Sequence, residues 1–141
     1  MTQLTLAKAN QIIAAAIQSA RAMGAKPMGI VVLDEAGQIK AVQREDGATA
    51  FRAQIAEGKA WAAVAMGVDS RSLIKRAADN PSFFAALANT GGGKFIPQTG
   101  AVLIKDAEGN VIGAAGASGG TGDEDEAICI QGVKDAGLFL L

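Results

Sequence analysis

The sequence predicts an α+β fold: a central, mainly antiparallel five-stranded sheet with helices packed against it. Three observations carry this. Two apolar stretches, "MGIVVLDEAGQIKAVQRE" and "AVLIKDAEGNVIGAAGAS", each read as strand, D-x-x-G turn, strand. Apolar residues at helical spacing flank and separate these hairpins. At 141 residues the chain can build one core but is short for two, so 1–141 reads as a single domain.

Each element has its own signal. Thr5 can cap a first helix, whose apolar positions Leu6, Ala9, Ile13, Ala16, Ile17 and Ala20 run to Met23, with Gly24 as the stop. The first hairpin turns at Asp34–Gly37. In "AFRAQIAEGKAWAAVAMG" a helical stripe of Phe51, Ile55, Ala62 and Met66 is expected to face inward. Gly58 interrupts it, where glycine costs about 1 kcal/mol against alanine, so something should pack close there. "SRSLIKRAAD" reads as a short helix capped by Ser70 or Ser72, and Pro81 can open another. "TGGGKFIPQTG" leads into a further short strand. The second hairpin turns at Asp106–Asn110, and a last helix follows Thr121.

Composition excludes several function classes. Hydrophobic residues make up 50% of the chain but aromatics only 4%, so Ala, Val, Ile and Leu supply the bulk. A small, Ala-rich body of this kind buries apolar surface against further copies of itself, and a homo-oligomer is expected. A net charge of −1 with mixed signs offers no basic stripe for nucleic acid. No apolar run reaches the roughly 18 residues of a membrane span. The opening residues lack a signal-peptide layout, so a cytoplasmic location is expected. One cysteine, Cys129, allows neither an internal disulfide nor an all-Cys zinc site. There is no histidine at all, which removes a Ser-His-Asp triad, an imidazole base and His metal ligands.

The stretch "GASGGTGDEDEAICIQGV" looks at first like a phosphate loop or a metal site. Four consecutive acids, Asp123 to Glu126, would repel a phosphate from the helix start they occupy. Adjacent helical residues point apart by roughly 100°, so only Asp123 and Glu126 share a face, and no metal site is assigned. Thr121-Gly122-Asp123-Glu124 instead fits a T-x-x-E capping box. The small residues of "GAAGASGG" before it imply that something lies close against that strand.

Set in order, these pieces resemble the GlcG/HbpS family of haem-degrading or haem-binding domain proteins, whose module also ends some PduO-type corrinoid adenosyltransferases. The resemblance rests on the opening helix "LTLAKANQIIAAAIQSARAMG" and on the R-x-D-G-A loop (Arg44, Asp46, Gly47, Ala48). It rests also on the Lys59-Ala60 pair and on Gly116, Ser118, Gly119, Asp125 and Glu126. It implies a three-layer α/β/α fold, oligomeric assembly and a small-molecule role, with haem as the cofactor that such a family suggests. Two places depart from the family pattern: Ile96 to Ile104, which alters one wall of the implied pocket, and Gly122, which replaces a common proline. With no His, iron ligation falls to Cys129 and the methionines.

The ligand-binding candidates are Arg44, Asp46, Lys59, Lys94, Thr99 and Ser118. Arg44 and Asp46 leave a strand for a loop, where functional groups concentrate, although Asp46-Gly47 is also a plain turn signal. Lys59 sits beside small residues and can reach a pocket. Lys94 follows three glycines and either swings over a site or only solvates a loop. Ser118 can bond a ligand but has no neighbouring base to make it a nucleophile. Trp61 reads as core or interface, and Cys129 as a packing cysteine.

Three functions are compatible with this set. One is an oligomeric module that binds a small planar or anionic ligand, a scavenger or an accessory to catabolism. Another is a small lyase, isomerase or hydrolase, with Asp46 or Glu57 as base and Arg44 or Lys59 holding an anionic substrate. The third is a structural subunit without a ligand. The binding module is preferred because no catalytic constellation stands out.

Overall fold

The computed structural model describes residues 2–141. Its elements run in the order α1 (Leu6–Ala22), β1 (Gly29–Asp34), β2 (Ile39–Arg44), α2 (Phe51–Met66), a single 3₁₀ turn (Ser70–Ser72), α3 (Leu73–Asp79), α4 (Pro81–Thr90), β3 (Ala101–Lys105), β4 (Val111–Ser118) and α5 (Gly122–Asp135). Every strand pairing is antiparallel, in the order β2-β1-β4-β3.

The sheet has four strands, not the five expected. Residues after Gly93 approach β3 without forming a strand of their own, because their backbone serves α2 instead: Ile96 N–H donates to the Gly58 carbonyl at 3.1 Å. A partial substitute comes from the other end of the chain. Lys105 and Phe139 exchange backbone hydrogen bonds of 2.8 and 3.0 Å, so the C-terminal residues lie along β3.

Both hairpins turn as their D-x-x-G signals require. Asp34 Oδ1 accepts from the Ala36 and Gln38 amides, and Asp106 Oδ1 from those of Glu108 and Asn110. Gly37 and Gly109 take φ values of 78° and 85°, which favour glycine. The hairpins do not stand alone. β4 pairs with β1 along the full length of β1, Gly29 opposite Ser118 and Asp34 opposite Gly113, and fuses the hairpins into one sheet.

Alternation along the strands sorts side chains between two faces. Ile30, Val32, Val102 and Ile104 point to one, where α1 and α5 pack through Ile12, Ile13, Ile128 and Cys129. Val31, Leu33, Leu103 and Ala114 point to the other, against Ala56, Ala60 and Ala63 of α2. The result is the three-layer arrangement α1/α5, sheet, α2. Leu73, Phe84 and Phe95 form a smaller cluster outside α2, with Trp61 edge-on to Phe95 at 6.4 Å.

The stripe expected on α2 is divided. Ala62 and Met66 join the outer cluster, whereas Phe51 is 67% exposed and Ile55 half-buried. The sheet-facing side is made of small residues because the helix sits so low. A Cβ on Gly116 would stand 2.4 Å from the Ala56 carbonyl oxygen, and one on Gly58 2.6 Å from the Ile96 side chain. These two contacts are the close neighbours that the glycines of α2 and β4 imply.

Helix ends mostly follow their signals. Thr5 caps α1 through the Lys8 amide, and Thr121 and Glu124 complete a capping box on α5. Ser70 and Ser72 do not cap α3. The Ser70 hydroxyl is turned toward β3, accepting from the Ala101 amide at 2.9 Å and donating to its carbonyl at 3.3 Å. With Asp69 accepting from Leu103 N–H at 2.8 Å, and Phe139 meeting Lys105, the outer edge of β3 is covered along its length.

Candidate functional site

One end of the sheet gathers several element boundaries. β1 starts at Gly29 between the ends of β2 (Arg44) and β4 (Ser118), while α2 and α5 begin nearby and α1 has just ended. Close approach is built in. A Cβ on Gly29 would stand 2.6 Å from Ala53 N, and one on Gly119 2.3 Å from the Pro27 carbonyl oxygen. The first turn of α2 therefore lies directly over the strand ends.

Cationic side chains collect there. Arg52 is held from two sides: Nη1 donates to Ser118 Oγ at 3.1 Å and Nε to Thr49 Oγ1 at 3.3 Å. Arg44 Nη1 donates to the Ala48 carbonyl and closes the turn in which Gly47 takes φ 86°. Arg21 pairs with Glu45 at 3.1 Å. Among the described residues, Lys26, Arg44 and Arg52 have no carboxylate partner.

Three shallow clefts adjoin around these groups. One of about 250 Å³ lies between Lys26, Thr49, Arg52 and Gly119. A second, of about 380 Å³, lies between Arg21, Pro27, Arg44 and Asp46. The third, of about 340 Å³, runs from Lys26 to Thr121 and Glu124. Around the first turn of α2 from Arg52 there is a different surface, an apolar slot of about 320 Å³ formed by Phe51, Ile55 and Ile96. Cationic side chains and an apolar wall thus flank the same helix start.

Beneath the clefts lies a closed polar cluster. Lys59 Nζ sits 3.1 Å from Asp125 Oδ2 and 3.0 Å from the Ala117 carbonyl oxygen, and Asp125 Oδ1 accepts from Gly120 N–H. Burial pushes the Asp125 carboxyl above its ordinary pKa, against the opposing pull of Lys59. Cys129 is fully buried; its thiol points at the Gly100 carbonyl at 3.7 Å, and burial drives its pKa well up. It stays a protonated packing group. On the surface of α5, Arg71 binds both Asp123 and Glu126, the two acids that share a face.

The site candidates read from the sequence are therefore dispersed. Arg44 and Asp46 line one cleft, and Ser118 supports Arg52 from a buried position. Lys59 is spent in the buried pair. Glu57, half-buried on α2, lines none of these clefts. Lys94 is exposed beside Gly93 of the apolar slot. Thr99 packs against the start of α5, where a Cβ on Gly122 would stand 3.0 Å from its own; this contact explains the glycine there. Sequence reasoning missed Lys26 and Arg52. Their signal was positional: one follows the stop of α1, the other opens α2, and the topology brings both to one sheet end.

A model of the family described as "Haem degrading protein HbpS-like" matches residues 4–134. The chain belongs to that family. No curated protein matches it in sequence. Among solved structures, Klebsiella pneumoniae protein ORFY is 27% identical, with a TM-score of 0.86 over 97% of this chain and 93% of that one. A double mutant of Streptomyces reticuli HbpS is 27% identical, with a TM-score of 0.80 over 95% and 87%. A structure described as a PduOC:heme complex is 23% identical, with a TM-score of 0.87 over 99% of both chains, a likeness of fold. The HbpS-like fold thus covers nearly the whole chain.

Haem, which the family name brings in, can be tested against the residues present. Haem iron is ordinarily held by His, Cys, Met or Tyr, and this chain has neither His nor Tyr. Cys129 and Met28 are fully buried, Met28 beneath Gly119 and Gly120. Met23 and Met66 line none of the clefts. The described residues around the clefts therefore do not fit an iron-ligating site. They do fit carboxylates.

Proposed function

We propose that this HbpS-like protein binds a small planar molecule bearing carboxylates, as an oligomeric scavenger or accessory protein in catabolism. The ligand's acid groups are held by Lys26, Arg44 and Arg52, and its flat body lies toward Phe51, Ile55 and Ile96. The observation that carries the reading is the trio of cations without acidic partners on adjoining clefts beside an apolar slot. Surface arginines normally find a carboxylate or point into water. Here Arg52 is fixed by Ser118 and Thr49, a preorganisation that lowers the ordering cost of binding. The family description, and the neighbour described as a heme complex, support the ligand class.

On this reading haem binds through its propionates and ring face, and its iron takes no ligand from Cys129. The test is a parallel titration with haem and with metal-free protoporphyrin, followed by absorbance and fluorescence. Both should bind saturably and with similar affinity. Arg52→Ala should weaken both about tenfold or more, the loss expected for a charged hydrogen bond of roughly 1.5–3 kcal/mol. Cys129→Ala should leave both unchanged. Saturable binding of haem alone, abolished by Cys129→Ala, would overturn the reading, and so would the absence of binding by either compound.

A second reading rests on Asp46, which shares a cleft with Arg21 and Arg44. A carboxylate base beside two guanidinium groups is a workable arrangement for removing a proton from a small acid. Turnover of short hydroxy- and keto-acids that disappears in Asp46→Asn would favour it.

A further inference from the structure

Four consecutive residues at the end of β4, Ala117 to Gly120, are each fixed from outside the segment. The Ala117 carbonyl accepts from Lys59 Nζ at 3.0 Å, and its N–H donates to the Gly100 carbonyl at 3.0 Å. Ser118 Oγ accepts from Arg52 Nη1 at 3.1 Å. Gly119 lies too close to the Pro27 carbonyl to carry a Cβ. Gly120 N–H donates to Asp125 Oδ1 at 3.0 Å, and Asp125 Oδ2 accepts from Lys59 Nζ at 3.1 Å. One buried ion pair thus grips the segment at both ends, and the cleft-lining Arg52 is anchored to its middle.

We propose that Lys59 and Asp125 are positioning residues of the binding site, which hold Ala117 to Gly120 so that Ser118 keeps Arg52 over the clefts. Stability alone does not account for the pair. Two desolvated charges give a fold little beyond what apolar side chains of the same volume would give. What they add is direction, one hydrogen bond to the Ala117 carbonyl and one from the Gly120 amide. The fold leaves room for this. A Cβ on Gly100 would stand 2.6 Å from Lys59 Nζ, so that glycine opens the passage by which the lysine crosses from α2, past the start of β3, to α5. Lys59 and Arg52 are also seven residues apart on α2, close to two full turns. Both therefore reach β4 from one helix face, at the neighbouring residues Ala117 and Ser118.

The Ser118 side chain is short, so its hydroxyl goes where the backbone puts it, and a shift there passes directly to the Arg52 guanidinium. With the grip lost, Arg52 samples other rotamers and must be ordered again when a ligand binds. The effect on affinity rests on the binding reading above; the grip on Arg52 does not.

The first readout needs no ligand: the Arg52 Nε–H signal and the Gly120 amide exchange rate, followed by heteronuclear NMR of the full chain. Lys59→Met with Asp125→Leu removes both ends of the grip without leaving a lone buried charge. This variant should keep a cooperative melt while the Arg52 signal broadens and Gly120 exchange quickens. Its affinity for metal-free protoporphyrin should fall roughly three- to tenfold, the ordering cost of one long side chain. Lys59→Met with Asp125→Asn stays closer to native in shape and keeps an acceptor for Gly120. It should loosen Arg52 to a smaller degree and leave Gly120 exchange near native. A cycle with Arg52→Ala separates positioning from general support. If the pair acts through Arg52, the first double variant should lose no further affinity in that background, whereas a purely structural role would subtract the same factor again. An unchanged Arg52 signal in either folded double variant, or a full additive loss in the cycle, would overturn the proposal. If the native protein binds no porphyrin, the reading of the ligand falls, and the Arg52 signal still decides the grip.

Discussion

Lys59 Nζ lies 3.1 Å from Asp125 Oδ2, with side-chain exposures of only 7% and 2%, and the pair ties α2 to α5 across the end of β4. Such a pair stands between two desolvated charges that cannot find water if separated. Removing one partner is expected to cost about 3–5 kcal/mol, whereas replacing both by apolar groups of similar volume costs far less. In urea denaturation, Lys59→Ala and Asp125→Ala should each move the midpoint strongly downward. Lys59→Met combined with Asp125→Leu should recover most of the loss. A double variant no more stable than either single one would mean that the Ala117 carbonyl and the Gly120 amide, left unpaired, dominate.

The depth at which α2 sits gives a second expectation. A Cβ on Gly116 would stand 2.4 Å from the Ala56 carbonyl oxygen and 3.0 Å from the Ala60 Cβ, so Gly116→Ala forces helix and sheet apart. Overpacking of this kind costs about 1–3 kcal/mol or more. Gly24→Ala meets no atom within 4 Å and pays only for its φ of 68°, a cost of roughly 1–2 kcal/mol. The comparison is clean by thermal melting: Gly116→Ala should have the lower melting temperature. It should also lose ligand affinity, because Arg52 rides on the helix that moves.

Most of the fold was legible because it is written in local signals. The D-x-x-G turns, the Thr5 and Thr121 caps and the apolar run Ile30 to Leu33 each act within a few residues. What failed was long-range. Ser70 prefers β3 over its own helix, and the approach through "TGGGKFIPQTG" adds no strand beyond β3, its Ile96 amide being taken by Gly58. The apolar stripe of α2 misleads for a related reason: a helix lying this low needs alanines beneath it, which leaves its larger residues outside. The family motifs pointed to Arg44, Asp46 and Ser118, but Lys26 and Arg52 become visible only when the topology superimposes the end of α1 on the start of α2.

Thr121 should be worth a measurable share of stability. Its hydroxyl accepts from the Glu124 amide at 3.1 Å while Glu124 Oε1 accepts from the Thr121 amide at 2.9 Å. Thr121→Ala removes the first of these bonds, with an expected cost of about 0.5–2 kcal/mol. Thr121→Ser keeps it and should be nearly silent in the same denaturation curves. Because α5 also carries Asp125, amide exchange at Gly120 should quicken in the alanine variant before the rest of the helix is affected.

Asp106 makes part of the stability of this fold depend on acid pH. Burial alone would raise its pKa, but hydrogen bonds outweigh that effect. Asn110 donates from its amide and its side chain, with Thr2 and Glu108 adding theirs, so the carboxyl is held below its ordinary value. A lowered folded pKa means that the unfolded chain binds the proton first as pH falls. The stability from Asp106 is then fully present above the unfolded carboxyl value of about 3.9, and is lost as pH drops through the lower folded one. Asp69, raised chiefly by burial, runs the other way: its contribution is complete below the ordinary value and lost as pH rises through the folded one. Asp106→Asn separates the two. Its melting temperature should fall below native at pH 7, and the gap should narrow as the pH is taken below the ordinary carboxyl value. A gap that stays constant below that value would show that the Asp106 charge contributes nothing, and that the Asp106–Asn110 turn depends on shape and neutral hydrogen bonds alone.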